Sequence, residues 1–160
     1  MKRFYPFLKA LKIILLIAVF GLIASSIYND FQYSRWISMP AAEVLSDPND
    51  RYQNVFSLSE EQSDTFHETF VNLCGNHDWG QLSLPDAETV VFESNPLLGT
   101  VRLLITGSSP GNVVYDALIS AAQEIHLEAG SYQVYLIGSW FTGSIEMQYG
   151  TGSFLSRSIT

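Results

Sequence analysis

The chain has 160 residues, room for one domain of ordinary size. It is 47% hydrophobic and 15% charged, which excludes disorder throughout, and 11 Gly with 6 Pro exclude collagen-like or low-complexity chains. Lys2, Arg3, Lys9 and Lys12 open the chain, so residues 13–160 keep four Arg against sixteen acids, formally −12; such a surface repels phosphate backbones and disfavours nucleic acid as a partner.

The first element is a membrane segment. Residues 1–12 form a basic tail, and residues 13–24 read IILLIAVFGLIA with no charge between Lys12 and Asp30. A spanning helix needs about 20 residues. The sequence predicts such a helix over 13–28, carried by Ile13, Leu15, Leu16, Val19, Phe20, Leu22 and Ile23, with Lys12 snorkelling to the headgroups. Four cations precede it and only Arg35 follows closely, so the N-terminus stays cytoplasmic and the rest goes outside. The competing reading is a signal peptide cut near Ser26, at the small residues Ala24-Ser25-Ser26, which releases a secreted domain. Gly21, Ala24 and Ser25 share one helix face and would admit a neighbouring membrane helix.

Residues 29–64 read as a linker. Pro40 opens a possible short helix that Asp47-Pro48 ends, and the solvated run Glu60-Glu61-Gln62-Ser63-Asp64 marks the start of a domain. From Thr65 the pattern turns to period 2. Ile145, Met147 and Tyr149 alternate with Ser144, Glu146 and Gln148, and Ile125 and Leu127 alternate with Glu124, His126 and Glu128. Further strands are expected at 65–73, 81–84, 88–92, 101–105 and 132–136; 113–119 reads as strand or helix. Turn signals separate them at Gly75-Asn76, Pro85-Asp86, Asn95-Pro96, Pro110-Gly111, Gly130, Gly138 and Gly143. Seven or eight short strands at this spacing predict an all-β fold, an antiparallel jelly-roll-like β-sandwich over 65–153, with a tail at 154–160.

Leu127-x-x-Gly130-x-Tyr132-x-Val134, followed by Gly138 and Phe141-Thr142-Gly143-x-Ile145, resembles the closing hairpin of bacterial extracellular jelly-roll modules. The likeness is to pre-peptidase C-terminal-type and carbohydrate-binding-like domains, over about residues 120–150. It implies a sandwich with an extracytoplasmic accessory role and no catalytic residues. Calcium, which some such modules bind through acidic pairs, has no matching pair here, and no cofactor is expected.

Four motifs invite chemistry. Gly107-Ser108-Ser109-Pro110-Gly111 fits G-x-S-x-G, with Asp116 and His126 downstream; a nucleophile elbow needs a helix after the turn, and a Pro-Gly turn between strands is the competing reading. Gly75-Asn76-His77-Asp78 resembles a metallophosphoesterase segment without its other ligands. Cys74 and His77 have C-x-x-H spacing, yet zinc needs four ligands, and a lone Cys reads as a small buried hydrophobe. Trp79, Tyr135, Trp140 and Phe141 could form a platform on which sugars stack. The expected function is therefore a membrane-anchored binding module for a cell-envelope glycan or protein, its acidic face suited to a cationic partner. The alternatives are a structural subunit of a membrane complex and a hydrolase using Ser109 or a His77/Asp78 metal site.

Overall fold

The computed structural model describes residues 35–46, 52–54, 56–109 and 111–157, with positions 14, 17–21, 25 and 28 nearer the N-terminus. The chain divides into two compact units, Met1–Gln32 and Tyr33–Thr160. In the first, the described residues are helical, and Ile14, Ile17, Val19 and Phe20 expose their side chains. Among the described residues no helix is long and apolar enough to cross a membrane. Half of the expected span lies outside the described residues, including Ile13, Leu15, Leu16, Leu22 and Ile23, as does the basic tail.

Among the described residues, the second unit is all-β apart from short helical stretches at 35–38 and 41–46. In chain order it holds α1 (Ala41–Ser46), β1 (Tyr52–Gln53), β2 (Phe56–Glu61), β3 (Thr65–Leu84), β4 (Glu88–Gly107), β5 (Val113–Ile119), β6 (Gln123–Leu127), β7 (Gly130–Gln148) and β8 (Ser153–Ser156). The expected linker thus contains β2, and the expected tail contains most of β8. Residues 113–119 are a strand.

Three strands, β3, β4 and β7, run 19 or 20 residues and serve both layers of a sandwich. In the front layer, β2 pairs with 66–71 of β3, 65–70 of β3 with the end of β7, the end of β7 with the start of β4, and β4 with β6. In the back layer, β8 pairs with the end of β3, which pairs with the start of β7, then the end of β4, then β5. Counted from β3 with each long strand halved, the order is 1-8-3-6 in front and 2-7-4-5 behind. That is the antiparallel two-layer order of a jelly roll.

The turn signals at Gly75-Asn76, Asn95-Pro96, Gly138 and Gly143 mark folds in continuous strands rather than chain reversals. From Gly130 onward the expected closing hairpin, Leu127 to Ile145, is one bent strand, β7. Each long strand places a left-handed residue at the fold: Asn72 (φ 63°), Gly99 (φ 73°) and Trp140 (φ 54°). Pairing slips register there, which bends a sheet and re-aims its side chains. Close approach fixes two glycines as well. A Cβ on Gly99 would lie 2.3 Å from the Trp140 carbonyl oxygen, and one on Gly138 would lie 2.4 Å from that of Leu73.

Folding the sheet over presses its inner faces together. Phe66, Phe70, Phe92, Ile145 and Met147 of the front meet Trp79, Leu103, Ile105, Val134 and Leu136 of the back in one buried cluster. Phe66 meets Trp79 ring edge to face at 5.4 Å. One interior row is polar: Glu68 and Ser94 flank Ile145, all three buried. Trp79 Nε1 donates to Glu68 Oε2 at 2.7 Å, and Glu68 Oε1 has no hydrogen-bond partner.

Candidate functional site

The two outer faces of the sandwich differ. The back face is strapped. Residues 35–46, helical at 35–38 and in α1, lie over it, and Trp36 and Val44 bury against Leu104 and Ile137. Arg102, 7% exposed, holds this strap down. Its Nε donates to Asp116 Oδ1 at 2.5 Å and its Nη2 to Asp116 Oδ2 at 2.6 Å, the bidentate geometry a guanidinium makes with carboxylate. Its Nη1 donates to the carbonyls of Met39 at 2.5 Å and Ile37 at 3.3 Å, closing the orphan acceptors at a helical end.

Among the described residues the front face carries no such cover. Alternation directs Phe56, Leu58 and Glu60 of β2 outward, with His67, Thr69 and Val71 of β3, Glu146 of β7, and Glu93 of β4. Cross-strand register lines up Glu60, His67, Glu146 and Glu93 over four adjacent strands. Glu146 accepts from Gln148 Nε2 at 2.8 Å and Glu93 from Asn95 Nδ2 at 3.3 Å, two residues along their own strands. Sequence reading passed over this face. Its signals were present: no Lys or Arg between Arg51 and Arg102, and an alternating Phe56-Ser57-Leu58-Ser59-Glu60.

The structure disperses the expected chemical motifs. Gly107 and Asn112 close a tight reversal, Gly107 N donating to Asn112 O at 2.8 Å and Asn112 N to Ser109 O at 3.1 Å. A strand, β5, follows Ser109 where an elbow needs a helix. Ser108 and His126 do line one groove of about 360 Å³ at the end of the sandwich, with Asn112, Glu128 and Tyr132. Asp116, the third member of the imagined triad, is instead bound by Arg102 under the strap edge. The hydrolase arrangement built on Ser109 is therefore not assembled.

His77 and Asp78 are neighbours on an extended strand, so they point to opposite faces. His77 is buried against Phe70, ring centroids 6.0 Å apart. Asp78, on the other face, accepts from Gln133 Nε2 and Arg157 Nη1. Cys74 is buried, its Sγ 3.6 Å from Asn72 Oδ1. Among the described residues no three His, Cys, Asp or Glu side chains converge closely enough to hold a metal ion.

The aromatic platform also fails to assemble. Trp79 and Phe141 are fully buried in the core, and Tyr135 packs beneath the strap. Trp140 is half-buried at the fold of β7. Packing decides this: a small sandwich needs its large rings to fill the space between layers.

No protein-family model matches the chain, and no curated protein is similar to it in sequence. Solved structures that align include procruciferin, an 11S globulin from Brassica napus, at 14% identity over 60% of this chain and 23% of that one, TM-score 0.40. The chain thus spans under a quarter of that globulin. Others are the carbohydrate-binding module of lichenase 5A from Cellvibrio mixtus in complex with cellotriose, at 16% identity over 62% and 91%, TM-score 0.33, and the C-terminal carbohydrate-binding module of a laminarinase from Zobellia galactanivorans, at 13% over 60% and 93%, TM-score 0.31. At these scores the alignments add nothing to the fold assignment, which rests on strand order.

Proposed function

We propose that this chain is a single-pass membrane protein whose sandwich works outside the cytoplasm as an interaction module. The N-terminal segment anchors it, residues 1–12 stay cytoplasmic, and the sandwich binds a partner of the cell envelope by surface contact, without a catalytic step or cofactor. The observation that carries this reading is the contrast between the faces: one is sealed by the chain's own strap, while among the described residues the other is bare, with exposed apolar and acidic side chains. A protein partner is favoured over a glycan, because the rings that would stack on sugar are spent on the core.

The test uses the full chain in lipid nanodiscs, screened against peptidoglycan fragments, soluble glycans and purified envelope proteins. Saturable binding is expected, and it disappears in Leu103→Asp, which puts a charge into the core. Binding that survives this variant resides in the membrane segment and overturns the proposal in favour of a structural subunit. Topology is checked in intact cells by Ser59→Cys, whose exposed position reacts with an impermeant maleimide only if the sandwich lies outside.

A further inference from the structure

The front face narrows the contact further. Among the described residues, β2 bonds to β3 alone, so its second row of backbone donors and acceptors faces no strand. An open edge of this kind templates pairing with another chain. Phe56 and Leu58 stand outward along it at 56% and 54% exposure, and Val71, in register with Phe56, is 38% exposed. Contiguous apolar side chains on a bare edge mark an interaction site.

Charge decides the occupant. No strand segment of the front layer contains Lys or Arg. Glu146 and Glu93 are directly opposed across β7 and β4, an arrangement that destabilises the free sheet. The ion pairs Arg102–Asp116 and Arg157–Asp78 both lie on the back layer, so they neutralise nothing here. A second copy of the chain would bring the same acidic face and, over residues 13–160, the same formal −12. A cationic segment would relieve the repulsion.

We propose that the open edge of β2 receives an extended, cationic segment of a partner protein as an added strand. Its outward positions place apolar side chains against Phe56 and Leu58 and a Lys or Arg against Glu60, with further cations reaching the Glu146–Glu93 pair. Backbone pairing supplies affinity and the alternating side chains supply selectivity. This rests on the reading of the sandwich as a binding module and names its contact surface.

The test is fluorescence anisotropy with the full chain in nanodiscs and three labelled peptides of about ten residues: alternating Lys-Val, alternating Glu-Val, and scrambled Lys/Ser of equal charge. The Lys-Val peptide is expected to bind saturably, at least about tenfold tighter than the scrambled one, and to weaken at high salt because exposed charge pairs are screened. The Glu-Val peptide does not bind. Leu58→Lys and Glu60→Lys, both at exposed positions that leave the core intact, each weaken the Lys-Val peptide at least about tenfold, roughly the loss of one edge contact. Equal binding of the Lys-Val and scrambled peptides overturns the proposal, as does indifference to both variants. Sedimentation showing a dimer that Leu58→Lys dissociates overturns it in favour of self-pairing. If a partner found by the nanodisc screen binds both variants normally, the binding-module reading stands and this surface falls.

Discussion

Arg102 is the side chain on which the strap depends. One guanidinium satisfies both Asp116 oxygens and carbonyls at the end of the helical turn, in a place where water is largely excluded. Removing it leaves those acceptors buried without donors. Arg102→Ala is expected to lower stability by about 3 kcal/mol in urea unfolding, and to expose residues 35–46 to limited proteolysis. Arg102→Leu combined with Asp116→Leu loses clearly less, because no lone charge remains. Trp140 stores strain of another kind. Its left-handed φ of 54° is costly for any residue with a Cβ. Trp140→Gly should therefore be more stable than Trp140→Ala by about 1 kcal/mol, since both lose the ring but only alanine keeps the strain. Tyr149 links stability to pH. Burial raises its phenol above the ordinary value of 10.0, and the carboxylates of Glu61 and Asp64 push in the same direction. Below pH 10 the folded and unfolded chains both keep the proton. Above it the unfolded chain releases the proton first, so stability falls as pH rises until the folded phenol ionises. Thermal melts of Tyr149→Phe should lose less stability than the parent above pH 10.

At the scale of elements, the folds in β3, β4 and β7 are what make a sandwich from one sheet. Gly138 and Leu73 cross there so closely that a methyl group meets a backbone oxygen rather than a movable side chain. Gly138→Ala is expected to cost about 2 kcal/mol or more, read as a lower urea midpoint with an unchanged slope. These same positions show where sequence reading stopped. Asn95-Pro96 and Gly143 carry the residues of a turn, and the backbone does turn aside at them. What separates a hairpin from a fold in one strand is whether the flanking segments pair with each other or both with a third strand. Residues 91–96 and 101–107 both pair with β7, which begins more than twenty residues further along the chain. No local signal reports that.

For the whole molecule, the crossing of β3, β4 and β7 between layers predicts a single unfolding transition. Neither layer can separate without breaking strands that continue into the other, and both line one core. Tryptophan fluorescence, which draws on Trp79 in the core, Trp140 at the fold of β7 and Trp36 on the strap, should change together with far-UV circular dichroism in denaturant. Two separated transitions would show the layers, or the strap, to be independent. Charge acts at this scale as well. Of the four arginines of the second unit, Arg35, Arg51, Arg102 and Arg157, two form ion pairs on the back layer, and no strand segment of the front layer contains Lys or Arg.

The sequence by itself determined the class of fold and much of its core. Alternation around Ile145, Met147 and Tyr149, and around Ile125 and Leu127, identified the inward faces correctly, because a period of two admits only one buried side. It also located α1 near Pro40 and its stop. Tertiary structure decided the rest: which punctuated segments join into long strands, that Trp79 and Phe141 fill the core rather than greet a ligand, and that Asp116 is engaged by Arg102 rather than by a histidine. The physical reason is that alternation is a property of a few consecutive residues, whereas pairing partners, burial of rings and convergence of side chains depend on strands brought together from distant parts of the chain.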